Sequence, residues 1–350
     1  MYMSVTLKDI AQRAGVSIST VSRILNNDQN KPASKETAER VWALVRELGY
    51  VPNYHAKKLK SNAKSRPYLG KNIGCILASP KDTFKDHFFS QILMGIQGEA
   101  AFNGYNIGYT FSYFEDKSTL FQQITSSDAD GYILLGRINE EFFNFIKSNV
   151  DNLVYVGLNR IGRDLDEVIC DAYEAASCAV EYLISLGHTK IGYIGEIPAG
   201  ENRVINEHRF RAFKDTLEKH NIPLEENFIK NISLSLKEGY DAMAEIIKSG
   251  TLPGAVFCGN DITAIGAMKA IHKSGLKIPN DISIIGIDNI EITEYFRPSL
   301  TTVHVPKEEL GRFAVKLLID RINGGHKINT LIKLPFKLIE RESCDKYKGD

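Results

Sequence analysis

The chain has 350 residues, of which 43% are hydrophobic and 25% are charged, and its 43 basic and 43 acidic residues give a net charge of zero. At this length two or three domains are expected, and the composition is that of a globular protein rather than a disordered or fibrous one. The chain contains no run of about 18 apolar residues and no C-x-x-C pair among its five cysteines. These absences argue against a membrane-spanning helix, a disulfide framework and a zinc site.

The charge is distributed unevenly along the chain. Residues 1–66 hold 12 Lys and Arg against 5 Asp and Glu, whereas the remainder holds 31 basic and 38 acidic residues. A basic head on an acidic body is the distribution expected of a protein that binds nucleic acid. No apolar targeting segment precedes this head, so we expect a cytoplasmic protein.

Two short helices are predicted at the start of the chain. Apolar residues recur at helical spacing over residues 7–11, directly after Thr6, which is a capping residue. Gly15 then permits a left-handed turn, and Ser17 caps a second helix that runs to about Asn26. Two short helices on a four-residue turn predict a helix-turn-helix, in which the second helix enters the DNA major groove.

The outward face of the second helix carries side chains that suit a DNA groove. These residues are Ile18, Ser19, Ser22 and Arg23. A hydroxyl can contact a phosphate or a base, Ile18 can pack on a thymine methyl group, and Arg23 can bond guanine O6 and N7 with two hydrogens. An ordinary surface hairpin of two helices also carries solvated polar residues, so helix spacing alone leaves both interpretations open.

The sequence pattern of this segment favours the DNA-binding interpretation. T-L-x-D-I-A-x-x-A-G-V-S-x-x-T-V-S-R-x-L-N closely resembles the opening of the lactose-repressor/galactose-repressor (LacI/GalR) family of bacterial transcription regulators, and nearly every fixed position matches. The resemblance implies contacts with operator DNA from the caps and the second helix. The candidate residues are Thr6, Ser17, Ile18, Ser19, Thr20, Ser22, Arg23 and Asn26.

A third helix is predicted over about residues 35–48, with Ser34 as its cap. Its apolar stripe should pack on the first two helices, and it includes Trp42, the only tryptophan of the chain. We interpret Trp42 as part of the core of this small domain. Gly49 is placed to end the helix.

The next segment, YVPNYHAKKLKSNAKS, combines a short predicted helix with positive charge. Asn53 can cap a helix over about 54–60, but so few residues cannot hold a helix in water unaided. Composition alone also fits a flexible basic linker. In the family that the chain resembles, Y-x-P-N-x-x-A-x-x-L is a hinge helix that orders on DNA in a dimer, and its leucine wedges into the minor groove. The resemblance therefore makes Asn53, Ala56 and Leu59 candidate DNA contacts.

From Lys71 onward, apolar strands alternate with amphipathic helices. The strands are predicted at 72–78, 105–111, 131–135, 153–157, 191–194, 227–232, 254–257 and 282–287. The helices are predicted near 88–103, 116–126, 139–147, 171–186, 203–220, 236–248, 260–274 and 306–323. This order favours doubly wound parallel sheets with helices on both faces. Two such sheets, separated near residue 160 and again near 290–305, would form two lobes with a ligand cleft beyond the carboxyl ends of their strands.

The chain lacks the sequence signatures of common enzyme sites. It contains no P-loop, no G-x-G-x-x-G after a strand, no H-E-x-x-H and no G-x-S-x-G. His188 follows a helix-ending glycine and precedes a strand, so we interpret it as a partner of local carbonyl groups. We therefore expect neither an enzyme nor a bound cofactor or metal.

The resemblance to the family extends through the whole chain. Segments such as LISLGHTKIGYIG, AVFCGNDITAIGAM, ISIIGIDN and LIERES look like its effector-binding core, which itself resembles periplasmic sugar-binding proteins. The positions that this resemblance makes candidate effector contacts are Phe88, Phe89, Gln91, Asn159, Arg209, Leu234, Asn260 and Asp288.

Several of these residues also have ordinary structural interpretations. Asp288 and Asn260 follow strands, where such residues serve as turns or helix caps, and the two phenylalanines fit core packing at a helix start. Arg209, rather than the neighbouring Arg211, matches the arginine of the family's R-L-x-G-F stretch. An arginine fork with Asp and Asn partners would hold vicinal sugar hydroxyls.

The sequence therefore predicts a helix-turn-helix domain over residues 1–50, a hinge helix and linker over 51–70, and a bilobed effector-binding and dimerisation domain over 71–350. The predicted function is a homodimeric repressor of a sugar operon, with a galactoside as the favoured effector, released from operator DNA by a saccharide. A purine or other metabolite as effector, a sugar-binding protein without DNA function, and an α/β enzyme are the alternatives.

Overall fold

The computed structural model describes residues 6–25, 33–48, 50, 70–78, 87–112, 117–162, 164–199 and 204–347. The predicted hinge helix lies outside these residues, as do the candidate DNA contacts Asn26, Asn53, Ala56 and Leu59. The described chain forms a three-helix head and two α/β lobes. None of its described helices is long and apolar enough to span a bilayer.

The head consists of helices α1 (Leu7–Ala14), α2 (Ile18–Leu25) and α3 (Lys35–Glu47). Thr6 and Asp9 form a reciprocal capping box at the start of α1, and the Ser17 hydroxyl accepts a hydrogen bond from the Thr20 amide at 3.1 Å. Gly15 has a φ of 66° between α1 and α2. These observations confirm the predicted caps and turn.

The three helices of the head enclose a small apolar core. The completely buried members are Ile10, Val21, Val41 and Val45. Trp42 packs against this core but is only partly buried, and its ring centroid lies 6.4 Å from that of Phe121 in the first lobe. Trp42 therefore lies at the edge of the head's core rather than within it, and it also contacts the first lobe.

The first lobe is a six-stranded parallel sheet covered by helices. Its strands are β1 (Asn72–Ala78), β2 (Asn106–Ser112), β3 (Gly131–Gly136), β4 (Leu153–Gly157), β5 (Asp166–Ile169) and β11 (Leu331–Lys333). Its helices are α4 (His87–Phe102), α5 (Lys117–Ser126), α6 (Glu140–Asn149) and α11 (Lys307–Ile322). The strand order is β11-β5-β4-β3-β1-β2.

The second lobe repeats this architecture. Its strands are β6 (Ile191–Gly195), β7 (Ile229–Asn231), β8 (Ala255–Cys258), β9 (Ser283–Asp288), β10 (Thr301–His304) and β12 (Lys337–Ile339). Its helices are α7 (Ala172–Ser185), α8 (Arg209–Lys219), α9 (Leu236–Lys248) and α10 (Asp261–Lys273). The order is β12-β10-β9-β8-β6-β7, and only β12 pairs antiparallel with its neighbour. The two sheets confirm the predicted doubly wound lobes.

The described chain passes between the lobes at three places, one more than the two predicted boundaries. The first crossing lies near residue 170 rather than 160, because the short strand β5 still pairs in the first sheet. The second lies at residues 305–306 and the third at 334–336, between β11 and β12. The short strands β5, β10, β11 and β12 were not predicted, because runs of three or four residues carry little periodicity, and the two acidic residues that begin β5 conceal it further.

Those buried acidic residues of β5 have specific partners. Asp166 is completely buried and accepts hydrogen bonds from the Arg321 side chain, from His326 Nε2 at 2.9 Å and from the Thr330 amide at 2.8 Å. His326 Nδ1 also contacts Asp320 Oδ2 at 2.5 Å. The imidazole therefore lies between two carboxylates and links the segment after α11 to strand β5.

This arrangement predicts a pH-dependent contribution of His326 to stability. The hydrogen bonds to Asp320 and Asp166 raise the pKa of His326 above its ordinary value of 6.5. Its contribution is therefore complete below about pH 6.5 and is lost as the pH rises through the raised pKa. We expect His326→Gln to lower the free energy of unfolding by about 1 kcal/mol at acidic pH and by less at alkaline pH. Urea unfolding at both pH values measures the difference, and an equal loss at both would contradict the prediction.

Candidate functional site

A cavity of about 440 Å³ lies between the two lobes, at the carboxyl ends of their strands. The first lobe contributes the start of α4 and the ends of β3 and β4, and the second contributes the starts of α8, α9 and α10. The predicted effector contacts that line it are Phe88, Phe89, Asn159, Arg209, Leu234, Asn260 and Asp288. Gln91 is half-buried on α4 and is not among the lining residues.

The apolar part of the cavity wall includes an aromatic pair. The rings of Phe88 and Phe89 meet edge to face, with their centroids 5.2 Å apart and an interplanar angle of 88°. Leu234, Leu236 and Ile262 of the second lobe also line the cavity. The wall therefore offers apolar surface from both lobes, which is typical of small-molecule sites.

Arg209 lies in the cleft as predicted, but its guanidinium group is already bound by the chain. Its Nε donates to Glu207 Oε1 at 2.8 Å, its Nη2 contacts the other oxygen of the same carboxylate, and its Nη1 donates to the Gly259 carbonyl at 2.5 Å. Both side chains are almost completely buried. Burial by itself raises the pKa of Glu207, but the guanidinium groups of Arg209 and Arg137 outweigh it and hold that pKa below its ordinary value.

A second arginine, Arg137, joins this ionic group from the opposite lobe. Its Nη2 lies 3.3 Å from Glu207 Oε2, and its Nη1 contacts the carboxylate of Glu196, which follows β6. Arg137 itself follows β3 of the first lobe. The group Arg209–Glu207–Arg137–Glu196 therefore spans the cleft, and it holds two positive and two negative charges.

A short backbone segment fastens the lobes beside this ionic group. Asn206 of the second lobe accepts from the Ile138 amide at 3.0 Å and donates to the Gly136 carbonyl at 2.9 Å and to the Tyr155 hydroxyl at 2.8 Å. The Ile205 amide donates to the Ile138 carbonyl at 2.7 Å. Residues 204–207 therefore form a strap between the lobes, and a ligand that contacts Arg209 lies at the end of this strap.

Asp288 lies at the end of β9, on backbone that L residues rarely adopt. It is 4% exposed with a φ of 122°, and the buried ammonium group of Lys307 donates to its backbone carbonyl. Lys307 Nζ also lies 3.2 Å from the Val305 carbonyl, at the second crossing between the lobes. Because strained backbone persists only where neighbours hold it, Lys307 ties the position of Asp288 to a connection between the lobes.

Two asparagines complete the predicted polar set. Asn260 Oδ1 accepts from the Thr263 amide at 2.9 Å and so caps α10, as its position after a strand suggests. Asn159 donates to the Asn206 carbonyl at 3.3 Å, while its buried Oδ1 has no hydrogen-bond partner among the described residues. A buried acceptor without a donor is costly, and at the wall of a cavity it favours a ligand that donates a hydrogen bond.

The predicted groove residues lie on the outward face of α2. Ile18 is 48% exposed, and the hydroxyls of Ser17, Ser19 and Thr20 form a chain of hydrogen bonds at 2.7 and 2.9 Å. Arg23 donates to the Ser19 carbonyl at 3.3 Å and to the Thr20 hydroxyl at 3.1 Å. Its guanidinium group therefore lies along its own helix, and a base contact requires it to exchange these bonds.

Several lining residues were not predicted from the sequence. They are His87, Gly136, Arg137, Tyr155, Gly157, Leu158, Asn206, Glu207, Ser233, Ser235, Leu236 and Ile262. Glu207 and Asn206 were detectable in principle, because they stand within three residues of Arg209. Arg137 directly follows β3, at a strand end where the cleft was expected, but the family resemblance did not include it among the effector contacts.

Comparison with known families agrees with the two-part architecture. The model described as bacterial regulatory proteins, lacI family, matches residues 6–53, and the model of a periplasmic binding protein-like domain matches residues 180–344. Across the chain, the sequence is 34% identical over 351 residues to the HTH-type transcriptional repressor MelR of Bacillus subtilis, with 97% of each protein covered.

Solved structures show the same fold. The Lac repressor dimer bound to operator and the anti-inducer ONPF is similar with a TM-score of 0.66 and 25% identity, covering 97% of this chain and 99% of that one. A LacI family transcriptional regulator from Enterococcus faecium with bound ribose has a TM-score of 0.67 and 28% identity, covering 79% of this chain and 100% of that one.

Proposed function

The chain belongs to the LacI family of bacterial regulatory proteins, and from this premise we propose that it represses a sugar-utilisation operon and leaves its operator when a saccharide fills the cleft between the lobes. Members of this family are DNA-binding repressors and not enzymes. The observation that carries the proposal is the cleft itself, in which polar groups from both lobes, aromatic rings of the first lobe and aliphatic side chains of the second lobe line one cavity. As a repressor, the protein acts in the cytoplasm.

The polar groups of the cleft suit a polyhydroxylated ligand. Asn159 Oδ1 can accept from a hydroxyl, and Asp288 carries a carboxylate at the cavity wall. The Phe88–Phe89 pair offers an aromatic surface to the apolar face of a sugar ring. The ribose held by the similar Enterococcus faecium regulator supports a saccharide as the effector.

The head and the body divide the two tasks. Residues 1–50 bind the operator through α2, residues 51–70 form the hinge with Leu59 in the minor groove, and residues 71–350 bind the effector and the second subunit. The exposed side chains of Met94 and Phe102, eight residues apart on one face of α4, support a homodimer, since they are 64% and 87% exposed in the single chain. Two heads then read a pseudo-palindromic operator.

Release from the operator follows as a shift between two populations. A saccharide between the lobes of one subunit favours one angle between those lobes. This angle sets the relative position of the two first lobes in the dimer, and that position decides whether the paired hinge segments can meet on DNA. To act as an inducer, the saccharide must favour the DNA-incompetent state by a few kcal/mol.

The hinge residue Leu59 provides the test of this function. Labelled duplexes that tile the DNA flanking the protein's own gene should bind the wild type at about 50 mM salt, and the affinity should fall steeply towards about 200 mM. We expect Leu59→Ala to weaken binding at least about tenfold, which corresponds to ~1.4 kcal/mol, because the minor-groove wedge is lost. Fluorescence anisotropy measures both affinities.

A matched leucine serves as the control for that experiment. Leu331→Ala changes a partly exposed leucine at the edge of the first sheet and should leave operator affinity unchanged. Mono- and disaccharides that raise the melting temperature should also weaken operator binding, and purines are screened in parallel. A wild type that binds none of these duplexes at low salt would refute the proposal, and equal affinities of wild type and L59A would refute the role of the hinge.

A further inference from the structure

Both guanidinium groups at the wall of the cleft are already bound by carboxylates. Glu207 takes both the Nε and the Nη2 of Arg209, and it also lies 3.3 Å from Arg137. The backbone amide of Arg209 donates to the same carboxylate at 2.9 Å, which fixes its position. Glu196 contacts Arg137 as well, and Asp288 adds another carboxylate to the cavity wall.

We propose that Glu207 is a specificity-determining residue that makes the cleft accept uncharged ligands and reject anions such as phosphorylated or acidic sugars. The inference rests on the proposed function, because it takes the cleft as the effector site. It narrows the effector from any saccharide to a neutral one.

The first reason is that the groups which would bind a phosphate are occupied. An arginine binds phosphate or carboxylate by presenting its N–H fork to two oxygens. The fork of Arg209 faces Glu207, and its remaining nitrogen donates to the Gly259 carbonyl at 2.5 Å. An anionic ligand must therefore displace a carboxylate whose side chain is only 3% exposed, or lie beside it.

The second reason is the charge balance of the ionic group beside the helix ends. Helices α8, α9 and α10 begin at the cleft, and helix N-termini attract anions. Ser235 and Asn260 cap two of them and accept first-turn amides at 3.2 and 2.9 Å. The ionic group itself carries no net charge, because Glu207 and Glu196 balance Arg209 and Arg137. Removing the charge of Glu207 leaves this group with a net positive charge, and the helix ends then add to its attraction for an anion.

The third reason is the unpartnered acceptor. Asn159 Oδ1 is buried at the cavity wall with no hydrogen-bond partner in the described part of the chain. A sugar hydroxyl can donate to this oxygen, whereas the dianionic phosphate group of a phosphorylated sugar has no proton to donate. This position of the cleft therefore suits a hydroxyl group and not a phosphate group.

The experiment uses inorganic phosphate as the probe, so it needs neither the effector nor DNA. The melting temperature of the full chain is measured over millimolar phosphate at constant ionic strength. The wild type should show no specific rise, whereas Glu207→Gln frees the Arg209 fork and should bind phosphate at least about tenfold more tightly. Glu207→Asp keeps the charge and should reject phosphate as the wild type does.

The control removes a comparable carboxylate from the surface. Glu181 contacts Lys219 at 2.7 Å and His220 at 2.6 Å, so Glu181→Gln also frees two basic side chains, and it should gain no phosphate binding. In a second arm, ribose and ribose 5-phosphate are compared on the wild type, which needs no variant to fold.

Two results would overturn the proposal. In the first, phosphate or ribose 5-phosphate raises the melting temperature of the wild type as much as phosphate raises that of E207Q. In the second, E207Q folds but binds phosphate no better than E181Q. Failure of the wild type to bind duplex DNA contradicts the proposed function instead, and it leaves the phosphate comparison valid.

Discussion

Replacing Arg209 with methionine should abolish the response to the effector and lower the free energy of unfolding by about 3–5 kcal/mol. Both effects have one cause, which is that Glu207 loses its main partner. The carboxylate would remain buried beside Arg137 alone, and a buried charge stripped of one partner is among the most costly changes in a protein core. The bond from Arg209 to the Gly259 carbonyl is lost as well.

The neighbouring Arg211 is a matched control. Its side chain is 77% exposed, pairs with Asp215 at 3.5 Å and lies 5.9 Å from the ring of Tyr173. Contacts of this kind at the surface contribute about 0–1 kcal/mol, so Arg211→Met should bind effector and unfold nearly as the wild type does. Urea unfolding measures stability, and thermal shift with any saccharide that stabilises the wild type in the proposed screen measures effector binding. Similar losses in the two variants would show that Arg209 has no special place in the cleft.

Replacing Gly266 with alanine should destabilise the second lobe by about 1–3 kcal/mol, although alanine favours a helix over glycine. Helices α9 and α10 pack backbone to backbone at this point. A Cβ atom on Gly266 would lie 2.1 Å from the Leu236 carbonyl oxygen and 2.8 Å from the Tyr240 amide nitrogen, and one on Gly239 would lie 2.4 Å from the Thr263 carbonyl oxygen. No flexible side chain can move aside there, so the helices must separate.

The matched change on the same helix is Lys269→Ala, at an exposed position of α10. It should alter the free energy of unfolding by no more than about 0.5 kcal/mol. Because α9 and α10 both begin at the cleft, Gly266→Ala should also weaken saccharide binding. Urea unfolding of both variants tests the prediction, and a Gly266→Ala variant more stable than the wild type would contradict the close packing of α9 on α10.

Local sequence was sufficient for the head and for the regular elements of the lobes. Thr6, Gly15 and Ser17 act through bonds within four residues, so their residue types alone predicted the caps and the turn. Buried parallel strands such as β1 and β4 are continuous apolar runs and were predicted with their observed bounds. The family resemblance then indicated DNA binding, and it identified Arg209 and Asp288 as cleft residues before any geometry was known.

Only the tertiary structure decided which residues distant in the sequence contact each other. Arg137 and Glu207 are 70 residues apart, and Asp166 and Arg321 are 155 apart, so no local pattern relates them. The same holds for the third crossing between the lobes, which depends on two strands of three residues each. Sequence periodicity records which face of an element is buried, whereas the charge of a cleft depends on which buried groups meet. The chain's own pattern therefore determined the fold and the family, and folding alone decided that both arginines of the cleft are neutralised.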